Sequence, residues 1–314
     1  MYGLYYDLST IYANGFGFLR YLGIFGQQQF ILHLLKIFNT RVRLSEYLKK
    51  EKANGKKVGF VPTMGALHQG HISLIDLARK QSDLVVCSIF VNPTQFNDPK
   101  DLDRYPRPID QDIQLLEKAA CDVLFLPEVD EMYATGETWH LELDGLDQLL
   151  EGLHRPGHYQ GVTQIVKKLF DTVEPDFAFF GQKDYQQFLV IEKMVQKLGL
   201  SVQLIMCPII RETDGLAMSS RNVHLNPEER KNALALYQTL NWINTHSELL
   251  SIQELKEQAQ KKLLQSPGIV LEYLEICDGE NLQPLQSKDV AKIVALVAAK
   301  VGQTRLIDNM LLKN

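Results

Sequence analysis

Residues 58–71 read VGFVPTMGALHQGH and join a short apolar strand to the start of a helix. A Pro-Thr-Met-Gly turn follows the strand, and Gly70 with His71 opens the helix. His68 and His71 are three residues apart, which puts both imidazoles on one side of the turn, beside unpaired backbone N–H groups and the positive end of the helix dipole. Such a position suits an anion, above all a polyphosphate. Taken alone, the pair is better explained as surface or core histidines.

Composition limits the classes of function. The 314 residues, 45% hydrophobic and 23% charged, are typical of a globular protein with one large domain or two ordinary ones. A net charge of −5 and a pI near 5.9 give no global basic field that would favour RNA or DNA. Four scattered cysteines without a CxxC pair favour reduced, buried thiols in a cytoplasmic protein over disulfides or a zinc site. These are Cys87, Cys121, Cys207 and Cys277.

Residues 1–34 differ from the rest of the chain. They contain nine aromatic residues but only one acid, Asp7, and one strong base, Arg20. They have neither the basic start nor the small-residue cleavage site of a secretory signal, and their longest apolar stretch, Phe16–Phe25, is too short to span a bilayer. We expect a leader outside the functional domain that can be removed without loss of activity, and no stable membrane association.

From residue 35 onward, apolar strands alternate with helices, which predicts an α/β fold with a doubly wound, parallel, Rossmann-like sheet over residues 35–209. The expected strands are Val58–Val61, Leu84–Val91, Val123–Leu126, Phe177–Phe180 and Val202–Met206. The expected helices are Ser45–Lys52, Ile72–Lys80, Asp110–Ala120, Val162–Val173 and Tyr185–Leu198. A smaller C-terminal α+β domain is predicted over residues 210–314, with a helix over Asn226–Ser251, more helix to Leu264, and strands at Ile269–Ile276, Asp289–Val297 and Gln303–Asp308.

Polar residues directly after strands are site candidates, because ligands of a doubly wound sheet bind beyond the carboxyl ends of its strands. In the loop Asn92–Phe96, amide side chains offer uncharged donors and acceptors to a small polar ligand. Lys183 can meet a phosphate, while Asp184 would cap the next helix or accept from a ribose hydroxyl. The segment Ser219–Arg221 can clamp phosphate oxygens. An Asn-Pro turn, a capped helix start and a polar interdomain turn are the ordinary alternatives for these three segments.

Other chemistries lack their motifs. Metalloprotease zinc sites space their histidines i, i+4 with a glutamate between, whereas His68 and His71 are i, i+3. No G-x-G-x-x-G follows the first strand, and the Walker loop and the G-x-S-x-G elbow are absent from the sequence. Zinc, dinucleotide redox chemistry and Ser-His-Asp hydrolysis are therefore not expected.

Taken together, the motifs resemble those of the class I aminoacyl-tRNA synthetase and nucleotidylyltransferase superfamily. His68–His71 stands in the place of its HIGH signature, and Met218–Arg221 in the place of its KMSKS loop. More narrowly, the chain from about Lys36 to Asn314 resembles the pantothenate synthetase family. The segments that carry this likeness are Val61–His71, Val91–Phe96, Arg155–His158, Gly161–Thr163, Phe180–Gln187, Leu216–Asn222 and Thr304–Asn309.

This resemblance implies an ATP-dependent ligase, a homodimer without nucleic-acid partners, that joins pantoate to β-alanine through pantoyl adenylate and releases AMP and pyrophosphate. It implies catalytic roles for His68, His71 and Lys183, with His71 as proton donor. It further implies that Gln95 and Gln187 hold pantoate, and that Gln95 also meets β-alanine. The implied ATP contacts are Met64, Gly65, Ala66, Leu67, His68, Gln69, Gly70, His71, Gly181, Gln182, Lys183, Asp184, Ile210, Met218, Ser219, Ser220 and Arg221.

Mg²⁺ is expected with the nucleotide, held mainly by phosphates and waters, with Asp112 in its outer shell and no protein ligand assigned. Glutamines suit a carboxylate that must remain nucleophilic, since a bidentate cation would tie up its lone pairs. Gln69 stands where many relatives carry an acid, and this loss of one charge should be tolerated. Arg155 and His158 match the family pattern without a role that the sequence defines.

Three other functions stay open. Another adenylating or nucleotidylyl-transferring enzyme would respond to a different acid in pyrophosphate exchange. A sensor or scaffold that binds nucleotide without turnover needs affinity alone, and not two histidines, a lysine and a Ser-Ser-Arg group together. A tRNA synthetase fragment is less well supported, because no basic tract or anticodon-binding domain is visible.

Overall fold

The computed structural model describes residues 34–313, so the predicted leader, apart from Leu34, lies outside the described residues. The strands are β1 (Lys36–Phe38), β2 (Val58–Thr63), β3 (Leu84–Ile89), β4 (Val123–Phe125), β5 (Phe177–Gly181), β6 (Gln203–Cys207), β7 (Ile269–Asp278), β8 (Ile293–Val301) and β9 (Thr304–Lys313). The helices are α1 (Arg41–Ala53), α2 (Gln69–Gln81), α3 (Pro99–Arg104), α4 (Ile109–Lys118), α5 (Val129–Met132), α6 (Leu150–His154), α7 (His158–Val173), α8 (Tyr185–Leu198), α9 (Pro227–His246) and α10 (Ile252–Leu263).

The predicted doubly wound parallel sheet is confirmed. Strands β1 to β6 are all parallel and lie in the order β1-β4-β3-β2-β5-β6. All six residues of β3 are buried, as expected for a parallel strand covered by helices on both faces. Alternate side chains enter two cores, with Val86 in the cluster on one face and Cys87 in the cluster on the other.

The predicted smaller α+β part is present as an antiparallel sheet, β7-β8-β9, with α9 and α10 packed against it. The helix expected over Asn226–Ser251 is present as α9 but ends earlier, at His246, and the further helix expected to Leu264 is α10, which begins at Ile252. The break coincides with a capping box, in which the Oγ of Ser251 accepts the backbone N–H of Glu254. Strand β8 runs four residues later than expected because its apolar stretch continues to Val301.

The boundary near residue 210 stays a prediction. One hydrophobic cluster contains residues of the parallel sheet and its helices, such as Leu189, together with Val294 and Leu296 of β8. The two sheets therefore share a continuous core. None of the helices in residues 34–313 is long and apolar enough to cross a membrane.

Candidate active site

A cavity of about 240 Å³ lies beyond the carboxyl ends of β2, β3 and β5, where parallel α/β sheets bind ligands. It brings together residues that are far apart in the sequence. The predicted site residues that line it are Met64, His68, Gly70, His71, Gln95, Gly181, Lys183, Asp184, Gln187, Ile210, Met218, Ser219, Ser220 and Arg221. The predicted residues that do not line it are Gly65, Ala66, Leu67, Gln69 and Gln182.

The turn between β2 and α2 is held by a buried carboxylate. Asp112, 1% exposed, accepts the backbone N–H groups of Ala66 at 2.8 Å and Leu67 at 2.7 Å. Both Gly65 (φ 79°) and Ala66 (φ 49°) have left-handed backbone, which an alanine adopts only at a cost. Burial raises the pKa of Asp112, and hydrogen bonds from the two amides oppose that rise. Asp112 does not line the cavity, and both of its oxygens accept these amides. Its place in the outer shell of Mg²⁺ stays a prediction.

The two histidines act as caps at the start of α2. The Nδ1 of His68 accepts the backbone N–H of Gly70 at 3.1 Å, and the Nδ1 of His71 accepts the backbone N–H of His68 at 3.3 Å. The expectation of unpaired N–H groups is therefore wrong for Gly70 and His68. An accepting Nδ1 carries no proton, so each neutral ring has its N–H at Nε2. A Cβ at Gly70 would lie 2.8 Å from the ring of His68, so only glycine permits this close approach.

Both imidazoles are neutral near pH 7. Burial, with a smaller effect from the positive charge of Lys183, lowers the pKa of His68 to about 4. Burial, with a smaller effect from the neighbouring His68, lowers the pKa of His71 to about 3. The Nε2–H groups are thus available as neutral hydrogen-bond donors in the cavity, and an incoming polyanion would raise both pKa values.

The Lys183 loop is anchored by β9. The side-chain amide of Asn309, 2% exposed, donates to the backbone carbonyls of Gln182 and Lys183, each at 2.9 Å. The side chain of Gln182 donates back to Asn309 at 3.2 Å, which explains why Gln182 turns away from the cavity. Asp184 makes no capping hydrogen bond to α8, so the capped-helix alternative for this residue is wrong.

Gln95 is fixed before any ligand binds. It is 8% exposed, its Oε1 accepts from Asn92 at 3.0 Å, and its Nε2 contacts the sulfur of Met64 at 3.2 Å. Asn92 also donates to the carbonyl of Gly161 at 3.1 Å. A Cβ at Gly161 would lie 2.5 Å from the carbonyl oxygen of Thr94, so this glycine lets α7 approach the loop.

The Met-Ser-Ser-Arg loop reaches across to α3. The backbone N–H of Met218 donates to Ile210 at 3.0 Å, which puts these two predicted residues side by side. The Oγ of Ser219 accepts the backbone N–H of Arg221 at 3.3 Å. The guanidinium of Arg221 forms an ion pair with Asp101 of α3 at 3.3 Å.

Comparisons with known proteins identify the family of this chain. A sequence model of the family described as pantoate-beta-alanine ligase matches residues 36–311. The chain belongs to this family. It is 46% identical to a pantothenate synthetase of Thermotoga petrophila over 283 residues, 88% of this chain and 100% of that protein. It is 45% identical to the pantothenate synthetase of Bacteroides thetaiotaomicron, over 88% of this chain and 98% of that protein.

Solved structures of the family have the same fold. The pantothenate synthetase of Thermus thermophilus superimposes with a TM-score of 0.84, at 42% identity, over 89% of this chain and 100% of that chain. The pantoate-beta-alanine ligase of Francisella tularensis superimposes with a TM-score of 0.73, at 35% identity, over 89% of this chain and 98% of that chain. That structure was determined in complex with "Beta-gamma ATP" and β-alanine. The protein described here is accordingly a ligase that forms a carbon–nitrogen bond.

Several cavity residues were not predicted as binding residues. One wall is the apolar face of α7 with Phe180, a face that periodicity assigns to the core. Tyr105, 8% exposed, lines the cavity from the loop after α3, and no motif marks it. Arg155 and His158, which the sequence marks without a role, both line the cavity.

The donor set fits Mg²⁺ held through a nucleotide. No cluster of three or more His, Cys, Asp or Glu side chains that could hold a metal ion occurs within residues 34–313. Of the cavity carboxylates, Glu151 and Asp308 are paired with arginines, and within the described chain Asp184 has no ion pair. Asp184 is therefore the carboxylate that would approach a cation whose remaining ligands are phosphates and waters.

Proposed function

We propose that the protein condenses pantoate with β-alanine through a pantoyl-adenylate intermediate, consuming ATP and releasing AMP and pyrophosphate. The observation that carries this proposal is one cavity that contains neutral histidine donors, Lys183 and the Ser219–Arg221 clamp beside the amide of Gln95. The family match supports the same reaction, as does the relative crystallised with "Beta-gamma ATP" and β-alanine.

In the first step, a carboxylate oxygen of pantoate attacks the α-phosphorus of ATP, and the bond from that phosphorus to the bridging oxygen of pyrophosphate breaks. Negative charge shifts to the leaving pyrophosphate, which needs positioned donors more than a covalent nucleophile. His68 and His71 donate from Nε2, Lys183 supplies a positive charge, and Met218 to Arg221 close over the nucleotide. Mg²⁺, bound through the phosphates, would neutralise further charge.

In the second step, the free amine of β-alanine attacks the acyl carbon of the adenylate, and the bond from this carbon to the AMP oxygen breaks. The amine loses a proton to solvent, and AMP leaves with the electron pair. Gln95 and Gln187 hold the pantoyl group throughout with uncharged donors. The apolar face of α7 suits the methyl groups of pantoate.

Two assays test the proposal. Pyrophosphate exchange into ATP should require pantoate and should proceed without β-alanine. The exchange arises from forward and reverse turnover of the first step, in which β-alanine takes no part. AMP release should require ATP, pantoate and β-alanine together. Exchange driven by a different acid would reassign the substrate, and tight ATP binding without exchange would instead favour a sensor.

The proposal includes a wider organisation. Residues 1–34 form a dispensable leader, residues 35–209 bind ATP and pantoate, and residues 210–314 act as a lid over the nucleotide. The protein is a cytoplasmic homodimer without nucleic-acid partners. Deletion of residues 1–34 should leave turnover unchanged, and light scattering of the full chain should give twice the monomer mass.

A further inference from the structure

Arg155 is a half-buried cation with few protein partners among the described residues. Its side chain is 24% exposed and lines the cavity. Within the described residues its guanidinium has two contacts, a 3.4 Å hydrogen bond to the carbonyl of Gln95 and a 4.0 Å approach to the carboxylate of Glu151. A guanidinium has five N–H donors, so it can donate to a ligand in the cavity as well. Burial lowers the pKa of this group.

The nearby carboxylate of Glu151 is already occupied. Arg305 donates to both of its oxygens, at 2.6 and 2.8 Å, and the hydroxyl of Tyr273 donates at 2.7 Å. Glu151 is 6% exposed and these bonds satisfy it, so it is a weak partner for Arg155 at 4.0 Å. A half-buried guanidinium in a ligand cavity, with its nearest carboxylate taken by another arginine, is suited to an anionic ligand.

We propose that Arg155 binds the carboxylate of the amine substrate and thereby selects an ω-amino acid, β-alanine, over simple amines. This inference rests on the proposed function. Both substrates carry a carboxylate, but only that of pantoate is activated. A bidentate arginine ties up the lone pairs of a carboxylate, so it suits the carboxylate of β-alanine, which does not react. The uncharged glutamines suit the carboxylate of pantoate, which attacks the phosphorus.

The position of Arg155 fits this division. The Nδ1–H of His158 donates to the carbonyl of Gln95 at 2.9 Å, and Arg155 donates to the same oxygen. The guanidinium is therefore tied to the residue that faces pantoate. In β-alanine two methylene groups separate the amine from the carboxylate. A cation next to the site of the pantoyl group can therefore bind the carboxylate while the amine attacks the acyl carbon.

The test compares Arg155→Gln and Arg155→Lys with Arg104→Gln, which removes an equal charge from an exposed position on α3 outside the cavity. For each protein, pantoate-dependent pyrophosphate exchange and the KM and kcat for β-alanine and for its neutral amide are measured. Arg155→Gln should keep exchange within about twofold and raise the KM for β-alanine about 10- to 100-fold. Its preference for β-alanine over the amide should fall by the same factor. Arg155→Lys should recover part of the affinity for β-alanine and part of the preference over the amide. Arg104→Gln should match the wild type in both quantities.

Unchanged selectivity between β-alanine and its amide in Arg155→Gln would overturn the inference. So would an equal loss of exchange and condensation in both Arg155 variants, since that pattern indicates a structural role. Absence of pantoate-dependent exchange in the wild-type protein would instead overturn the proposed function, which keeps the two failures distinguishable.

Discussion

His68 and His71 fix each other at the start of α2. The Nδ1 of His71 accepts the backbone N–H of His68 at 3.3 Å, and the two rings lie 4.1 Å apart. Each ring thus has a structural task at Nδ1 and a free donor at Nε2. Both tasks can be tested by substitution.

His71→Ala should lose both tasks, whereas His71→Gln should keep both in part. A glutamine three residues after the cap can accept the same backbone N–H through its Oε1, as in a capping box, and its amide N–H groups remain donors. We expect His71→Ala to lower the free energy of unfolding by about 0.5–2 kcal/mol and to slow pyrophosphate exchange by about 10²–10³. His71→Gln should recover part of both losses. Urea unfolding and exchange rates measure the two effects, and near-wild-type exchange in His71→Ala would contradict the donor role.

Acid should destabilise the protein through three histidines whose pKa values are lowered in the fold. Burial lowers the pKa of His158 to about 3, as it lowers those of His68 and His71. Below about pH 6.5 the unfolded chain binds protons that the folded chain does not. The free energy of unfolding therefore decreases as the pH is lowered, until the pKa values of the folded protein are reached. Each histidine contributes at most about 1.4 kcal/mol per pH unit.

Urea unfolding between pH 7.5 and 5 measures this slope. His158→Gln should flatten it, whereas His224→Gln, at an exposed position, should leave it unchanged. Equal slopes in the wild type and His158→Gln would show that His158 is not the source.

Much of the fold could be predicted from the sequence, because apolar runs in buried parallel strands and amphipathic helices leave strong periodic signals. Helix α8 has the predicted bounds, Tyr185–Leu198. The three-residue strand β1 was missed, since so short an edge strand leaves no pattern. In the site, Lys183 and the histidines were found because they occur in motifs beside strand ends. The anchoring contacts of Asp112 could not be predicted, because nothing local shows that its carboxylate folds back onto the amides of Ala66 and Leu67.

Asp101→Asn should tighten ATP binding. The ion pair between Asp101 and Arg221 must open before this guanidinium can bind a phosphate. Both side chains are partly exposed, that of Asp101 by 47% and that of Arg221 by 31%. Exposed pairs contribute about 0.2–1 kcal/mol, so the Kd for ATP should fall by no more than about fivefold. Isothermal titration measures it, with Asp103→Asn on the same helix as the charge-matched control. A higher Kd for ATP in Asp101→Asn but not in Asp103→Asn would mean that the ion pair holds Arg221 in its binding position.

Asp112→Asn should weaken the turn that carries the histidines. An asparagine keeps one acceptor oxygen but presents an NH₂ group to the second backbone N–H, which leaves a buried donor unsatisfied. We expect the free energy of unfolding to fall by about 1–3 kcal/mol and exchange to fall with it. Asp110→Asn, at an exposed position in the same helical turn of α4, should change neither quantity. Unaltered stability in Asp112→Asn would contradict the anchoring role of this carboxylate.

Gln95→Arg tests why the pantoate site uses uncharged amides. The introduced guanidinium should still bind pantoate, with an unchanged or lower Kd, because it pairs with the carboxylate. The same pairing stabilises the ground state more than the transition state, in which that carboxylate loses its charge to the phosphorus, so adenylation slows. A charge-assisted hydrogen bond corresponds to a slowing of about 10- to 100-fold. Single-turnover release of pyrophosphate, with pantoate binding measured separately, gives both quantities. Tight binding with an unchanged rate would show that the charge of the contact does not matter, and Gln95→Asn, which shortens the side chain without adding charge, should instead weaken pantoate binding.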